Sequence, residues 1–196
     1  MSIKIGITGG IGSGKSTVLN LFIEQGGIPY FADKRAKWLI ENSLTIQNSI
    51  INLFGEKSYQ NNQYNSAWIA SIVFKNKYLL QRLNQIVHPA VWLDFDTFCK
   101  ENPEKIIFYE AALIFENNNQ FLFDKTILVT APNQTKIERI KKRDSISDIE
   151  ISARMSNQYS DEQKRPLADF EIINNDLDET KKQVLDIYQE ILDNKL

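Results

Sequence analysis

The order of apolar and polar positions in the first 31 residues predicts a strand, a helix and a second strand. Residues 3–7 alternate between apolar and polar or small side chains, which is typical of a strand. Residues 16–25 carry apolar side chains at helical spacing, on one face. Gly26 and Gly27 then mark the end of that helix, and residues 28–31 form a short second strand. The chain therefore begins with a β-α-β pattern.

The segment 36–101 shows helical periodicity and no convincing strand. Apolar faces predict helices around residues 46–54, 69–74, 78–87 and 91–98, with a polar loop at 55–63. His88-Pro89 is predicted to break the third of these helices, with Pro89 as the first residue of the fourth. Because this insertion is longer than a plain crossover, it predicts a subdomain that holds a substrate. Extra packing helices are the alternative.

Three further strands are predicted in the second half of the chain, at residues 105–109, 125–131 and 170–173. The first of them is a continuous apolar run, which is typical of a buried strand. Pro132-Asn133 opens a helix after the second, and residues 184–191 give the last helix its apolar face. Strands that alternate with helices predict an α/β fold with a parallel sheet.

The loop between the first strand and the first helix carries the motif Gly-x-x-x-x-Gly-Lys-Ser, from Gly9 to Ser16. Its glycines let the backbone curve around a phosphate chain with the N–H groups pointing inward. Lys15 can reach the β- and γ-phosphates, and the Ser16 hydroxyl can bind Mg²⁺. Because a strand precedes the motif and a helix follows it, the sequence predicts a nucleoside triphosphate site rather than a chance glycine-rich turn.

Two further groups are candidates for chemistry. Asp33 directly follows the second strand, at the sheet edge where open α/β folds bind ligands, and it is also placed to cap a helix at 34–41. The two roles do not exclude each other. Basic residues after the fourth strand, among them Arg139 and Arg143, favour a cationic lid that closes over phosphates, with a solvated helix surface as the alternative.

Composition narrows the class of protein. The 196 residues are 42% hydrophobic and 24% charged, which suits one α/β domain with insertions. A net charge of −2 without a long basic run gives no footprint for nucleic acid. Cys99 is the single cysteine, so no internal disulfide can form. We expect a cytoplasmic protein, because no secretory signal and no apolar run near ~18 residues is present.

Several short motifs also follow one another in a fixed order over nearly the whole chain. They are residues 6–17, Ala32-Asp33, Val73-Phe74, residues 88–91, residues 113–116, residues 139–144, Gln158, Ala168-Asp169 and Asn174. In this order they resemble the dephospho-CoA kinases, a family of P-loop kinases, and Thr-Gly-Gly-Ile-Gly-Ser-Gly-Lys-Ser is far more specific than the bare phosphate-loop motif. The resemblance implies a three-layer α/β/α P-loop fold with a five-stranded parallel sheet. Its core would be residues 1–33, 104–138 and 168–196, with an acceptor-binding helical insertion at 34–103 and a helical lid at 139–167.

The resemblance also implies a reaction and a set of site residues. The γ-phosphoryl group of ATP would pass to the ribose 3′-hydroxyl of dephospho-CoA, and Asp33 would accept the proton of that hydroxyl. Lys15, Arg139 and Arg143 would neutralise the triphosphate. The ATP site would comprise Gly10, Ile11, Gly12, Ser13, Gly14, Lys15, Ser16, Thr17 and, beside the adenine, Asn174. Acceptor contacts are implied for Thr8, Asp33, His88 and Leu113, and Mg²⁺ ligands for Ser16 and Glu110.

The resemblance leaves alternatives open. Phe31, Ala112, Ser66 and Asp176 stand where the family usually carries aspartate, proline, arginine and glycine. His88 either contacts the acceptor or shapes and packs the inserted helices. A kinase for another small alcohol remains an alternative, and so does a nucleotide-driven switch, although residues 76–79 lack the aspartate of a guanine-specific motif. The expected partners are small molecules, without nucleic acid or membrane, and the expected state is a monomer or weak homo-oligomer.

Overall fold

A computed structural model describes residues 1–61, 63–144 and 146–193. The chain divides into two units, one of residues Met1–Tyr30 with the segment from Asn102 onward, the other of residues Phe31–Glu101. The described residues form seven strands: β1 (Ile3–Thr8), β2 (Ile28–Phe31), β3 (Tyr59–Gln60), β4 (Gln63–Tyr64), β5 (Ile106–Glu110), β6 (Lys125–Thr130) and β7 (Phe170–Ile173). Their α-helices are α1 (Lys15–Glu24), α2 (Ala32–Asn42), α3 (Leu44–Phe54), α4 (Ser66–Val73), α5 (Lys77–Glu101), α6 (Asn133–Asp144), α7 (Asp148–Ser156), α8 (Asp161–Lys164) and α9 (Leu177–Asp193).

The first unit is organised around a five-stranded parallel sheet with the strand order β2-β5-β1-β6-β7. The central strand β1 is paired on both sides, with Ile5 opposite Phe108 of β5 and Ile7 opposite Ile127 of β6. Strands at the centre of such a sheet are covered on both faces, and Ile5, Ile7 and Ile127 are fully buried. The five predicted strands are confirmed to within a residue or two, and the third ends at Glu110 rather than before it.

Helix α1 is fixed against the sheet by aromatic packing. Phe22 stacks on Phe108 of β5 with 4.5 Å between the ring centroids, and both rings are fully buried. A stacked pair of this kind adds about 0.5–1.5 kcal/mol to the area that it buries. The helix that follows the glycine motif is therefore held firmly at its carboxyl-terminal half, which gives its amino-terminal end a defined place above β1.

The second unit contains helices α2 to α5 and one short antiparallel hairpin, β3 with β4. The predicted absence of strands in 36–101 and the predicted loop at 55–63 are therefore wrong. Each strand has two residues, which is too short for an alternating pattern to be visible in the sequence. The hairpin is held by the cross-strand pair Tyr59 and Tyr64, whose rings lie 5.6 Å apart, and by a hydrogen bond of 2.8 Å from the Tyr59 hydroxyl to the Ile40 carbonyl.

Helix α5 runs without interruption from Lys77 to Glu101 and contains Pro89. The predicted break at His88-Pro89 is wrong. A proline inside a helix removes one hydrogen bond and costs about 3 kcal/mol, so the surrounding structure must offset it. Val87, Val91 and Phe95 bury the apolar face of α5 on both sides of Pro89, which itself is exposed. Across the described part of the chain, no helix has the length and apolar character needed to cross a membrane.

Candidate functional site

The glycine motif forms a tight loop between β1 and α1, and two of its glycines are required by the geometry. Gly12 and Gly14 have φ angles of +80° and +87°, a region that side chains other than glycine rarely adopt. A Cβ on Gly12 would lie 2.6 Å from the Lys136 carbonyl oxygen, and a Cβ on Gly14 would lie 2.0 Å from the Asn174 side-chain nitrogen. Because neighbouring chain segments approach this closely, the loop needs glycine for space as well as for backbone conformation.

The loop presents positive charge at the beginning of α1. Lys15 is the first residue of that helix, and its ammonium donates hydrogen bonds to the carbonyl oxygens of Gly9 at 3.0 Å and Gly10 at 3.4 Å. Ser16 and Thr17 follow in the first turn, and both are exposed. The unpaired N–H groups and the dipole of a helix start attract anions. Lys15, Ser16 and the loop amides are therefore arranged as an anion site requires, and their predicted contacts with ATP remain predictions.

The Ser13 carbonyl oxygen is an anchor that holds the loop to the rest of the first unit. It accepts a hydrogen bond of 2.8 Å from the Asn174 side-chain amide and one of 3.3 Å from Arg139. Arg139 also donates to the Asn174 carbonyl oxygen at 3.0 Å, so the three residues form one network. Asn174 is 4% exposed, and its backbone N–H donates to the Thr130 carbonyl at 2.8 Å. Arg139 of α6 and Asn174, which directly follows β7, therefore support the loop. Their predicted contacts with ATP remain predictions.

Arg143 lies in a different environment from Arg139, although the two were predicted together. Its side chain is 63% exposed and donates two hydrogen bonds to the carboxylate of Asp144, at 2.7 and 3.0 Å. Arg154 of α7 donates to the same carboxylate at 2.9 Å. The hydrogen bonds from Arg143 lower the pKa of the Asp144 carboxyl, and the same hydrogen bonds raise the pKa of the Arg143 guanidinium. The structure thus groups Arg143 with α7, while Arg139 belongs to the loop network.

A second anchor joins the loop to the segment between α7 and α8. The Ile11 backbone N–H donates to the side-chain oxygen of Gln158 at 2.9 Å. Lys136 of α6 forms an ion pair with Asp161, the first residue of α8. These groups line a cavity of about 370 Å³ together with Gly10 of the loop. Gln158 belongs to a motif noted above, but its partner became visible only in three dimensions.

The carboxyl ends of β1 and β5 bring three predicted residues to one edge of the sheet. Thr8 ends β1, is fully buried, and donates from its hydroxyl to the Ala112 carbonyl at 3.1 Å. Glu110 ends β5 and is half-buried, in register with Ile7. Leu113 follows in the turn after β5 and is 39% exposed. The Thr8 hydroxyl therefore has a structural partner, and the predicted roles of all three residues toward acceptor or metal stay predictions.

The second unit holds the two other predicted residues, Asp33 and His88. Asp33 lies in the first turn of α2, whose N-cap residue is Phe31, so the predicted capping role of Asp33 is wrong. Its exposed carboxylate lines a cavity of about 620 Å³. The other lining residues are Ala36, Lys37, Ile40, Glu41, Asn42, Gln63, Tyr64 and Ser66. His88 is half-buried within α5, and burial lowers the pKa of its imidazole.

Comparison with known proteins places this geometry in a family. Residues 3–179 match the family model described as dephospho-CoA kinase. A curated relative named dephospho-CoA kinase, from Listeria innocua, is 34% identical over 201 residues and the match covers all of both chains. A crystal structure from Thermus thermophilus has a TM-score of 0.89 at 29% identity, with 97% of this chain and 98% of that chain covered.

A second solved structure, a dephospho-CoA kinase from Campylobacter jejuni, has a TM-score of 0.71 at 26% identity and full coverage of both chains. These similarities, together with the strand order, confirm the predicted P-loop α/β/α fold with its five-stranded parallel sheet.

Proposed function

The chain belongs to the dephospho-CoA kinase family, which phosphorylates dephospho-CoA with ATP, and we propose that its first unit binds the nucleotide and its second unit the acceptor. The reaction moves the γ-phosphoryl group of ATP to the ribose 3′-hydroxyl of dephospho-CoA and is the last step of coenzyme A biosynthesis. The observation that carries the assignment of the nucleotide is the glycine loop with Lys15 at the start of α1.

On the nucleotide side, phosphoryl transfer needs alignment and charge neutralisation more than covalent help. Lys15 already points its ammonium over the loop, where the Gly9 and Gly10 carbonyls hold it. When a triphosphate enters, its oxygens are stronger partners for the ammonium than neutral carbonyls, because they carry negative charge and attract the cation directly. Lys15 would then bridge the β- and γ-phosphates, and the exposed Arg143 is free of the loop network and would close over them.

Mg²⁺ fits the donor groups at this edge. The ion prefers oxygen ligands, keeps several waters, and is usually held by one or two protein groups together with substrate phosphates. The exposed Ser16 hydroxyl and the Glu110 carboxylate are oxygen donors of this kind. Within residues 1–61, 63–144 and 146–193, no cluster of three or more His, Cys, Asp or Glu could hold a metal by itself. When bound, Mg²⁺ would neutralise charge on the β- and γ-phosphates, with Ser16 and Glu110 holding it directly or through water.

On the acceptor side, the cavity of about 620 Å³ in the second unit supports the proposal. Its size suits a small organic ligand. Asp33 offers it a carboxylate, and Lys37 offers a cation one helical turn later on the same face of α2. A carboxylate can orient a ribose hydroxyl and take its proton, and a lysine suits the acidic diphosphate of dephospho-CoA. We propose Asp33 as the general base and this cavity as part of the acceptor site, with His88 on the acceptor side of the same unit.

A panel of acceptors tests the assignment directly. ADP release is measured with dephospho-CoA, with nucleoside monophosphates and with simple sugars, and the product with dephospho-CoA is identified by mass. With ATP present, we expect dephospho-CoA to be the one acceptor of this panel that gives rapid turnover. Faster turnover with another alcohol would indicate a different small-molecule kinase, and slow hydrolysis that no acceptor accelerates would indicate a nucleotide-driven switch.

Hydrogen exchange tests the division between the units. We expect dephospho-CoA alone to protect amides within Phe31–Glu101, and an ATP analogue alone to protect the glycine loop. Protection by dephospho-CoA confined to the loop and to α6–α8 would contradict the assignment of the acceptor to the second unit. We further propose a cytoplasmic monomer or weak homo-oligomer that acts without nucleic acid. A sequence with a single cysteine, which cannot form an internal disulfide, and a small net charge of −2 support this proposal.

A further inference from the structure

Lys136 and Asp161 form an ion pair that is almost entirely removed from solvent. The Lys136 side chain is 4% exposed and the Asp161 side chain 11%. Charges are rarely buried to this extent, because each loses its hydration and must regain it from its partner. The ion pairs of Lys141, Lys181 and Lys125 are exposed, whereas two lysine ion pairs are buried, that of Lys136 and that of Lys164 with Glu116. The burial of Lys136 is therefore a feature to be explained.

Lys136 contacts the glycine loop at two places. Its carbonyl oxygen lies 2.6 Å from where a Cβ on Gly12 would stand, so the first turn of α6 presses directly on the loop. Its ammonium lies 3.6 Å from the corresponding point on Gly10, and an Asp161 oxygen lies 3.7 Å from the same point. Lys136 and Asp161 therefore lie close to Gly10 and Gly12, in the part of the loop that precedes the Ser13 anchor in the sequence.

Asp161 is rigidly connected to the residue that holds the Ile11 amide. Gln158, three residues earlier, accepts the Ile11 N–H at 2.9 Å. Ser160 and Gln163, which flank Asp161, form a capping box: the Ser160 hydroxyl accepts the Gln163 N–H at 3.3 Å, and the Gln163 side chain accepts the Ser160 N–H at 2.9 Å. The capping box fixes the backbone at the start of α8. Because only Tyr159 and Ser160 separate Gln158 from Asp161, a shift of Asp161 would pull on Gln158.

We propose that Lys136 is a positioning residue for the phosphate loop, acting through Asp161 and Gln158 on the Ile11 peptide. The ion pair holds the start of α8 against the loop, and Gln158 then fixes Ile11, which lies between the two contacts that Lys136 makes. A loop that is held in its binding shape does not have to be ordered by the nucleotide, so less affinity is lost on binding. The ammonium itself is engaged with Asp161, and the proposal gives it no contact with phosphate. The effect on ATP affinity rests on the proposed function; the effect on the loop does not.

The test breaks the ion pair and then removes both charges. Lys136→Met leaves a buried carboxylate without its partner, and Asp161→Asn leaves a buried ammonium with only an amide oxygen. In each single variant we expect the unpartnered charge to move toward water. This movement would pull the Gln158 side chain away from the Ile11 N–H. Lys136→Met/Asp161→Asn leaves no buried charge, and the segment can return to the loop. Lys181→Met is the control, because it removes a lysine from an ion pair that is exposed, with side chains 49% and 92% accessible.

The first measurement is amide exchange at Ile11 in the protein without any ligand, by NMR or by mass spectrometry of peptides that contain it. We expect Lys136→Met to exchange at least about tenfold faster than the parent, Asp161→Asn to be intermediate, and the double variant to recover most of the protection. Lys181→Met should match the parent. If Lys136→Met does not accumulate as a folded protein, Asp161→Asn against the double variant makes the same comparison.

The second measurement is steady-state kinetics. We expect the KM for ATP to rise about tenfold in Lys136→Met, while the KM for the acceptor stays within about twofold, since the loop is the part disturbed. Unchanged Ile11 exchange in both single variants would overturn the proposal. It would also be overturned if exchange at Ile11 in the double variant were accelerated by as much as the two single effects combined. Ile11 exchange as expected in a protein that shows no acceptor-dependent turnover would uphold the positioning role and reject the proposed function.

Discussion

Substituting Asn174 by alanine should loosen the phosphate loop without touching the loop sequence. The change removes the amide that donates to the Ser13 carbonyl at 2.8 Å. The carbonyl then keeps Arg139, whose N–H lies 3.3 Å away, as its remaining side-chain partner. Thr180 loses its contact with Asn174 at 3.3 Å but keeps its hydrogen bond of 2.5 Å to the Asp176 carbonyl, so no second group is orphaned.

The size of the effect follows from the burial of the site. A buried polar group that loses its partner costs about 1–3 kcal/mol, and the remaining Arg139 contact argues for a value near 2 kcal/mol. For a protein of this length, each 1 kcal/mol shifts Tm by roughly 2–4 °C, so Asn174→Ala should lower Tm by about 4–8 °C. The KM for ATP should rise several-fold, because the nucleotide must then order the loop on binding.

The assay compares Asn174→Ala with Asn175→Ala, a neighbour that is exposed. Thermal unfolding without ligand gives Tm, and ADP release with dephospho-CoA gives the kinetic constants. Asn175→Ala should leave Tm within about 1 °C of the parent, since surface substitutions usually change stability by less than 0.5 kcal/mol. If both variants melt together and have the same KM for ATP, the Ser13 anchor does not hold the loop and the reasoning is refuted.

Five further substitutions test the proposed roles of individual residues. Lys15→Ala should keep the fold and lose most activity, about 3–4 kcal/mol of transition-state stabilisation, and near-parental turnover would exclude the phosphate-loop role. Arg143→Ala should lower kcat with Tm unchanged, because its side chain is exposed, whereas Arg139→Ala should lower Tm and raise the KM for ATP; identical behaviour of the two would contradict their different settings. Asp33→Asn should reduce kcat by about 10²–10⁴-fold at unchanged Tm, and normal kcat would remove Asp33 as the base. Burial lowers the pKa of His88 below its usual 6.5, so the unfolded chain takes up the proton more readily than the folded one. The free energy of unfolding should therefore fall as the pH drops below 6.5. The Tm of His88→Gln should fall less over that pH range than the Tm of the parent, and equal falls would contradict this account.

In the structure, Arg139 and Arg143 of the candidate site have different partners. The sequence groups Arg139 and Arg143 as basic residues after the fourth strand, where a lid is expected. In the structure Arg139 reaches under the loop to Ser13, while Arg143, at the end of α6, meets the carboxylate of Asp144. Which partner each arginine finds depends on what lies beside each turn of the helix, and that is a property of the packed unit.

What the sequence determined by itself is the local part of the site. The glycine loop, Lys15 and the first turn of α1 are contiguous, and their conformation follows from backbone sterics at Gly12 and Gly14. The five strands of the sheet were visible for a similar reason, because a buried strand needs a run or an alternation of apolar side chains within a few residues. Local conformation and burial leave a pattern that one stretch of chain can show.

What only the tertiary structure decided is the set of contacts between distant segments. Asn174 donates to Ser13 across 161 positions, and Gln158 accepts from Ile11 across 147. The buried pair of Lys136 and Asp161 has no periodicity, and a lysine on a helix usually lies in solvent. Pro89 stayed within α5 because the apolar face around it is buried, which outweighs the local preference to end a helix there. Such contacts depend on the free energy of packing many segments at once, and no single stretch of sequence contains it.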